Sequence, residues 1–378
     1  MRTLDADGHI FEPEAMFAQL EAEFYPRRPI LVTLPLDTAA GEGNAVWLVD
    51  GKMVPQPIGQ GRTFPGAFPG SASSQNRLTP LGDQTLEDVE ARLKGMDHFG
   101  IDEQVIYPTM FLQASYSDVR LEAALCRAYN DYVSDACGRS HGRLKWTALV
   151  PWRDTEAAAA EVARASDMGA AGIYTMGVIV DRQLNHPAFF PIYQAASERD
   201  LPVCVHLGWG APAVTDLFAE ATFFCSATVP VIWGFVSIMQ SGLLGRFPRL
   251  RVGFIETGAG WVPYAIHKVR RQAEPVTVLR DPQSRRRLNP GRVNQDFYRD
   301  PLEWFHDGRA FVTCESDEDI PYLVAQLGED SIMFSSDYPH GDQSADERFA
   351  DTLRMRTDLH EGMKAKLLGG NAARFYRV

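Results

Sequence analysis

The feature that most constrains the fold of this chain is a repeated alternation of short apolar runs with longer helical segments. Eight runs have the composition of buried strands, from "RTLDADGH" at the N-terminus to "SIMFSSDYP" near the C-terminus. Most are separated by a segment with helical periodicity, such as "DVRLEAALCRAYNDYVSDAC". Strands that alternate with helices pair in parallel through right-handed crossovers. Eight such units predict an α/β fold, a (β/α)8 TIM barrel.

The alternative fold is a doubly wound open sheet. That architecture carries a G-x-G-x-x-G turn after an early strand when it binds a dinucleotide, and no such turn follows an early strand here. A chain of 378 residues is long enough for one barrel with an insertion, so we predict a single domain over residues 1–378.

Residues 20–84 interrupt the alternation after the first strand. "PILVTLP" and "NAVWLVDGKMVP" predict a small hairpin pair, and the following Gly-, Pro- and Ser-rich segment shows no periodicity. An insertion at this point of a barrel lies on the face where substrates bind, so we predict a flexible lid over residues 55–84, with a surface loop as the alternative. The next helix is predicted to begin at a capping box formed by Thr85 and Asp88 and to end at Gly100.

Charge and cysteine content restrict the environment and the partners. The formal net charge of −12 argues against binding to nucleic acid or to an anionic membrane. The five cysteines are scattered and show no CxxC spacing, which is typical of reduced thiols in the cytoplasm. No stretch resembles a leader peptide or a membrane span. We therefore expect a cytoplasmic protein that acts on a small molecule, and we expect a homo-oligomer, a dimer.

Polar side chains end several of the predicted strands. An unpaired polar group at the end of a buried strand is costly, so several on one rim of a barrel indicate a site. Imidazoles and carboxylates together suit Zn²⁺, Mn²⁺ or Fe²⁺ better than Mg²⁺ or Ca²⁺. The strand-end residues are Asp7, His9, His206, Glu256, Glu315 and Asp337.

Three further residues have two readings each. Glu12 either braces a ligand or caps a helix, and His340 either orients Asp337 or lies on a surface loop. Trp209 either walls a pocket beside an aromatic substrate or serves packing alone. Glu315 could equally begin the charged first turn of the next helix.

Five motifs stand out along the chain: "DADGHIFEP", "VCVHLG", "GAGWVPY", "SSDYPH" and "LLGGNAARFYRV". On these motifs the sequence resembles the amidohydrolase superfamily. Within it, the chain is similar to the amidohydrolase-related branch that includes aminocarboxymuconate-semialdehyde decarboxylase and the γ-resorcylate and 5-carboxyvanillate decarboxylases. The resemblance extends from residue 3 to the C-terminus and is weakest over the insertion.

The resemblance implies a ligand set for one divalent metal ion, Zn²⁺ or Mn²⁺. The ligand pair of the first strand falls on Asp7 and His9, and the histidine of the fifth strand falls on His206. The aspartate of the eighth strand, which binds metal and moves protons, falls on Asp337.

Two departures from the family pattern affect this assignment. Glu256 stands where decarboxylases of the family usually have a histidine, and it is either an acid–base partner or an anion paired for structure. The fourth strand ends in Tyr174, Thr175 and Met176, with no lysine to bridge two metals, and Lys145 lies at the start of its strand. We therefore expect one metal ion.

The resemblance favours a metal-dependent carboxy-lyase acting on a small aromatic or unsaturated acid. Asp337 and Glu256 are its candidate catalytic residues, with Asp337 protonating the carbon that loses carbon dioxide. The alternative is a mononuclear hydrolase of an ester, lactone or amide, in which Asp337 takes a proton from water. A barrel that only binds a ligand, without metal, is the remaining reading.

Overall fold

The structure is a computed structural model, and it describes residues 2–33, 35, 37, 45–54, 81–112, 116–209, 224–273, 298–340, 345–346 and 348–378. Its central element is an eight-stranded parallel sheet whose strands are hydrogen-bonded in chain order, which confirms the predicted barrel. The strands are β1 (Leu4–Ile10), β2 (Glu103–Pro108), β3 (Leu144–Ala148), β4 (Gly172–Met176), β5 (Val203–His206), β6 (Val252–Ile255), β7 (Ala310–Cys314) and β8 (Ile332–Phe334).

The barrel closes between its first strand and the segment that follows its last strand. The backbone N–H of Asp337 donates to the carbonyl of Asp7 at 2.9 Å, and the N–H of His9 donates to the carbonyl of Tyr338 at 2.7 Å. Because every strand runs in the same direction, all the carboxyl ends lie on one rim. The two ends of the sequence are thereby brought together on that rim.

Helices connect and cover the strands. They are α1 (Leu81–Gln84), α2 (Val89–Phe99), α3 (Val119–Gly138), α4 (Thr155–Asp167), α5 (Phe190–Glu198), α6 (Val229–Ser241), α7 (Leu243–Arg246), α8 (Val262–Ala273), α9 (Pro301–His306), α10 (Ile320–Leu327), α11 (Phe349–Met355), α12 (Glu361–Ala365) and α13 (Asn371–Tyr376). Short 3₁₀ turns occur at Glu14–Phe17, Tyr25–Arg27, Met110–Leu112 and Pro187–Phe189, and single π turns at Phe224–Thr228 and Lys366–Gly370.

Aspartate N-caps begin several of these helices. Asp118 and Asp154 accept hydrogen bonds from backbone amides in the first turns of α3 and α4. At α2 the predicted capping box is wrong, because the helix begins at Val89 and Asp88 itself accepts from the amide of Ala91. The predicted end of α2 is confirmed, since Gly100 adopts the left-handed conformation that favours glycine at a helix C-terminus.

The first part of the insertion forms an antiparallel three-stranded sheet. Its strands are Ile30–Thr33, Ala45–Val49 and Lys52–Val54, which confirms the predicted hairpin pair. The predicted lid falls mainly on residues 55–80, outside the described residues, and only its last four residues are seen, in α1. The lid and the outer boundaries of the insertion, 20 and 84, stay predictions.

One helical stretch in the described part of the chain, Phe224–Ser241, is long and apolar enough to cross a membrane. Core helices of globular proteins meet the same criterion, and this one packs on the barrel. Phe235 is fully buried and makes edge-to-face contacts with Phe254 and Trp261 at 5.0 and 5.2 Å between ring centroids. Packing of this helix against the barrel therefore explains why the stretch is apolar.

Candidate metal centre

Buried imidazole and carboxylate groups converge on the carboxyl rim of the barrel. Asp7 and His9 extend from β1, His206 ends β5, and Glu256 directly follows β6. One donor atom from each of these four residues lies within 4.8 Å of the others. Asp337 joins this group through His9, with which it forms a second cluster of the same kind that also contains His340. The four predicted ligands thus lie at one end of the barrel.

The spacing of the donor atoms matches that of ligands around one cation. His9 Nε2 lies 3.3 Å from Asp7 Oδ1 and 3.3 Å from Asp337 Oδ1. His206 Nε2 lies 3.3 Å from Asp7 Oδ1 and 3.3 Å from Glu256 Oε2. Ligand bonds of about 2.1 Å in tetrahedral geometry place neighbouring donor atoms about 3.4 Å apart. The observed distances are close to that value.

The hydrogen bonds of the two histidines orient them for metal binding. The Nδ1–H of His9 donates to the carbonyl of Pro108 at 2.8 Å, and the Nδ1–H of His206 donates to the carbonyl of Leu207 at 2.8 Å. A carbonyl only accepts, so the Nδ1 of each ring carries a proton and the Nε2 atom is the one that can bind a cation in the cluster. Burial lowers the pKa of His9 to about 3, an effect that His340 adds to, so this ring is neutral at pH 7.

With both rings in this orientation, the cluster contains acceptors that face one another, an arrangement that a cation between them stabilises. Asp7 Oδ1 lies 3.3 Å from the Nε2 atoms of both His9 and His206. Asp7 Oδ2 has no hydrogen-bond partner among the described residues although it is fully buried. A buried, unsatisfied anionic oxygen is costly in a protein interior. The donor set therefore fits a divalent metal ion.

Two of the strand-end carboxylates have an unusual backbone conformation. Glu256 has φ 60° and Asp337 has φ 55°, both in the left-handed region that most residues avoid. The amide of Glu256 is held by Thr313 Oγ1 at 2.9 Å. Such strained conformations persist where the surrounding structure fixes them, and they cluster at functional sites. The chain turns sharply at both positions as it leaves the barrel.

A buried polar network lies beneath Asp7. The Asp5 carboxylate accepts from the amide and hydroxyl of Ser336 at 2.8 and 2.5 Å and from Gln104 Nε2 at 2.7 Å. Gln104 reaches Asp5 by crossing Gly8, where a Cβ atom would lie 2.3 Å from the glutamine side chain. Glycine is needed at this position of β1 because any larger side chain would overlap the Gln104 side chain of β2.

Arg92 completes this network from α2. It is fully buried and donates to Gln104 Oε1 at 2.8 Å, to Asp83 Oδ1 at 2.6 Å and to the carbonyl of His9 at 2.8 Å. Neither Arg92 nor Gln104 was predicted from the sequence. The available signal for Arg92 was its position on the buried face of a helix, next to Leu93 and Met96.

Glu12 does not cap a helix. Its two oxygens accept from the backbone amides of Thr109 and Met110 at 2.9 and 2.8 Å, just beyond the end of β2. Thr109 in turn contacts His340 Nε2 at 2.9 Å through its hydroxyl. Glu12 therefore acts on the site indirectly, by fixing the loop that holds Thr109.

We expect Glu12 to make stability depend on pH. Burial raises its pKa from 4.5 to about 7, against the opposing effect of the two amide donors. Between these values the folded state holds a proton that the unfolded state has lost, so the free energy of unfolding falls as pH rises. The loss is about 3 kcal/mol in total and is absent below about pH 4.5. Urea unfolding of metal-free protein from pH 4.5 to 7.5 should show this decline. Glu12→Gln should make it smaller and leave the part due to Asp5, whose pKa burial also raises to about 7. Equal slopes in the two proteins would contradict the assignment.

His340 lies beside Asp337, as one of its two readings predicted. Its Nδ1 is 2.9 Å from Asp337 Oδ1, and its ring stacks on that of His9 at 4.0 Å between centroids. The ring is therefore held between Thr109 and Asp337, where it can orient the carboxylate.

Two other sequence interpretations are settled by position. Glu315 is exposed, and its amide is bound by Glu318 at the approach to α10, so this strand end contributes no side chain to the cluster. Lys145 bonds to the carbonyl of Gly142 at the opposite end of its strand. The expectation of a single ion stays a prediction.

An aromatic cavity of about 190 Å³ adjoins the cluster. Tyr174 of β4 connects the two, since its ring lies 5.8 Å from that of His206 and also lines the cavity. Trp209 forms part of the same wall, and its indole N–H donates to Ser226 Oγ at 3.3 Å. Its predicted role beside an aromatic substrate stays a prediction. The cavity lining includes Phe111, Tyr116, Leu149, Val150, Trp152, Tyr174, Met176, Ile179 and Trp209.

Comparison with known proteins agrees with the predicted resemblance. The chain is 22% identical to γ-resorcylate decarboxylase of Polaromonas sp. (strain JS666 / ATCC BAA-500), over 79% of this chain and 90% of the relative. It is 23% identical to 2-amino-3-carboxymuconate-6-semialdehyde decarboxylase of Dictyostelium discoideum, over 78% and 77%. The crystal structure of 5-carboxyvanillate decarboxylase from Novosphingobium aromaticivorans DSM 12444, complexed with manganese and 4-hydroxy-3-methoxy-5-nitrobenzoic acid, has a TM-score of 0.70. The two sequences are 17% identical, and the matched region covers 100% of this chain and 96% of the related chain. This similarity supports the fold. A family model described as amidohydrolase matches residues 5–378. A match over nearly the whole chain shows that this protein belongs to the amidohydrolase family.

Proposed function

We propose that this protein is a metal-dependent, non-oxidative decarboxylase of a small aromatic or unsaturated carboxylic acid. The observation that carries the proposal is the buried imidazole and carboxylate cluster beside an aromatic cavity. The named activities of the relatives, decarboxylases of γ-resorcylate and of aminocarboxymuconate semialdehyde, support the same reaction class.

Asp7, His9, His206 and Asp337 are the residues that would hold one divalent ion. Glu256 is added to this set by its position 3.3 Å from His206 Nε2. Mixed nitrogen and oxygen donors suit Zn²⁺ or Mn²⁺, and manganese in the related crystal structure makes Mn²⁺ the first ion to test. When bound, such an ion supplies positive charge that holds the substrate carboxylate and an adjacent oxygen.

In this proposal Asp337 would move the proton. In its protonated form it would give the proton to the carbon that bears the carboxylate, the bond to that carboxylate would break, and carbon dioxide would leave. The electron pair of the broken bond stays on the ring or vinylic carbon and restores its unsaturation. Asp337 then takes up a proton again, with His340 at 2.9 Å holding its carboxylate in place.

A hydrolase of a neutral ester, lactone or amide is the second candidate. The observation that favours it is Glu256, because a third carboxylate at the cluster repels a carboxylate substrate. In that reaction Asp337 would take the proton of an attacking water.

Turnover of the Mn²⁺-loaded protein tests the choice between these reactions. We expect carbon dioxide release from hydroxylated benzoates or unsaturated acids, and no hydrolysis of the corresponding esters and lactones. Hydrolysis without carbon dioxide release would overturn the decarboxylase proposal and leave the metal centre in place.

We expect one Mn²⁺ per wild-type chain and a loss of most of it in His206→Ala. The substitution removes a nitrogen donor that is fully buried and already oriented by Leu207. Equilibrium dialysis followed by elemental analysis measures the stoichiometry. His98→Ala, at an exposed histidine of α2, is the matched control and should retain the ion. Equal metal content in the two variants would exclude His206 as a ligand.

Zinc as the resident metal, a homodimer and a cytoplasmic location stay predictions from the sequence. Acidic net charge and scattered free cysteines support the location.

A further inference from the structure

The cavity beside the cluster has two tyrosine hydroxyls in its wall. Tyr174 is 4% exposed and Tyr116 is 9% exposed, and both line the cavity. Neither hydroxyl has a hydrogen-bond partner among the described residues. Buried hydroxyls are nearly always paired, so two unpaired hydroxyls around one cavity indicate that a ligand supplies the partner.

Both tyrosines act as hydrogen-bond donors. Burial raises the pKa of Tyr174 well above its usual value, and nearby carboxylates act in the same direction. Burial likewise raises the pKa of Tyr116. Each phenol therefore keeps its proton, and the simplest partner for it is an oxygen acceptor on the ligand.

The remaining lining defines the body of the ligand. Phe111, Trp152, Met176 and Trp209 provide apolar and aromatic surface. A cavity of about 150 Å³ lined by apolar side chains accommodates benzene, and the volume here is about 190 Å³. One aromatic ring with one or two small substituents fits this space.

The charges of the lining argue against a second carboxylate on the ligand. Arg153 lines the cavity but is paired with Glu122 at 2.5 Å, and Lys52 lies at the exposed rim. A second anion would enter without an unpaired buried cation to receive it, which is unfavourable in a cavity of this kind.

We propose that Tyr174 and Tyr116 bind a neutral oxygen substituent, a hydroxyl, methoxy or carbonyl group, on the ring of an aromatic monocarboxylic acid. This assignment rests on the proposed function, since it takes the carboxylate to lie at the metal centre. In this assignment the two tyrosines are specificity-determining residues.

The test compares hydroxybenzoates with the methylbenzoates of the same substitution pattern, which match them in shape and lack the oxygen. Binding to Mn²⁺-loaded protein is followed by quenching of tryptophan fluorescence, because Trp152 and Trp209 line the cavity. We expect wild-type protein to prefer the hydroxy compound by roughly 2- to 12-fold for each tyrosine that donates to it, the range for one net hydrogen bond. Tyr174→Phe and Tyr116→Phe should each lower that preference by this factor and leave the affinity for the methyl compound unchanged.

Tyr129→Phe is the matched control. Tyr129 is also fully buried with a hydroxyl that has no hydrogen-bond partner in the described part of the chain, but it does not line the cavity. The preference should survive in this variant. If it survives equally in all three variants, the assignment of the tyrosines is wrong while aromatic acid binding stands. If no benzoate of either series binds, the aromatic acid itself is overturned, and the proposed function with it.

Discussion

Asp337→Asn is expected to lower turnover by about 10²–10⁴-fold, the usual range for losing general acid–base catalysis. The substitution keeps an oxygen beside His9 but removes the group that can donate and recover a proton. Asp337 Oδ1 lies 3.3 Å from His9 Nε2 and 2.9 Å from His340 Nδ1, so no other described carboxylate shares these two contacts. Turnover number, metal content and melting temperature should be measured on the same preparation.

Glu315→Gln is the control for this substitution. Glu315 also follows a barrel strand, but it is exposed and outside the cluster, so the change should leave turnover as in the wild type. We expect Asp337→Asn to keep its fold and at least part of its metal. Full activity in Asp337→Asn would rule out the metal-dependent mechanism proposed above.

The sequence predicted the barrel and the strand-end positions of the clustered histidines because both leave local signals. A run such as "VCVH" is apolar until its last residue, and that residue is His206, which the parallel arrangement places on the carboxyl rim. Asp7 and His9 are two positions apart on β1, so both point to the inside of the barrel. The two-residue period of a strand and the direction in which it runs are enough to predict where such residues lie.

Other parts of the site depend on contacts between distant segments and left no such signal. Gln104 reaches Asp5 across Gly8, and Arg92 enters from a helix, although nothing in their own neighbourhoods distinguishes them from core residues. Tyr174 drew attention in the sequence only as part of a strand end that lacks a lysine. Its role in the cavity wall depends on side chains from several strands and loops, which only the folded structure brings together.

For Glu256 the sequence left two readings, and the structure adds a third. It was predicted to be an acid–base partner or an anion paired for structure. Its Oε2 lies 3.3 Å from His206 Nε2, within the cluster of donor atoms, which favours a third reading as a metal ligand. Removing its charge would then weaken the binding of the metal and strengthen the binding of a carboxylate substrate.

We expect Glu256→Gln to weaken Mn²⁺ binding and, in a decarboxylase, to strengthen binding of the anionic substrate. A unit charge at about 6 Å in a medium of effective dielectric about 20 repels another by about 3 kcal/mol. Partial neutralisation by the ion reduces this effect, so KM at saturating Mn²⁺ should fall by about 10-fold, while the dissociation constant of Mn²⁺ rises by at least that factor.

The same variant separates the two candidate reactions, because a neutral ester or lactone does not respond to the lost charge. KM for such a substrate should stay unchanged in Glu256→Gln, even if the metal is bound more weakly. Glu256→Asp is the matched control, since it shortens the side chain but keeps the charge and should not lower KM for a carboxylate. A fall in KM confined to carboxylate substrates supports decarboxylation. If Mn²⁺ affinity is unchanged and only the melting temperature moves, Glu256 is a structural anion and the metal is held by Asp7, His9, His206 and Asp337 alone.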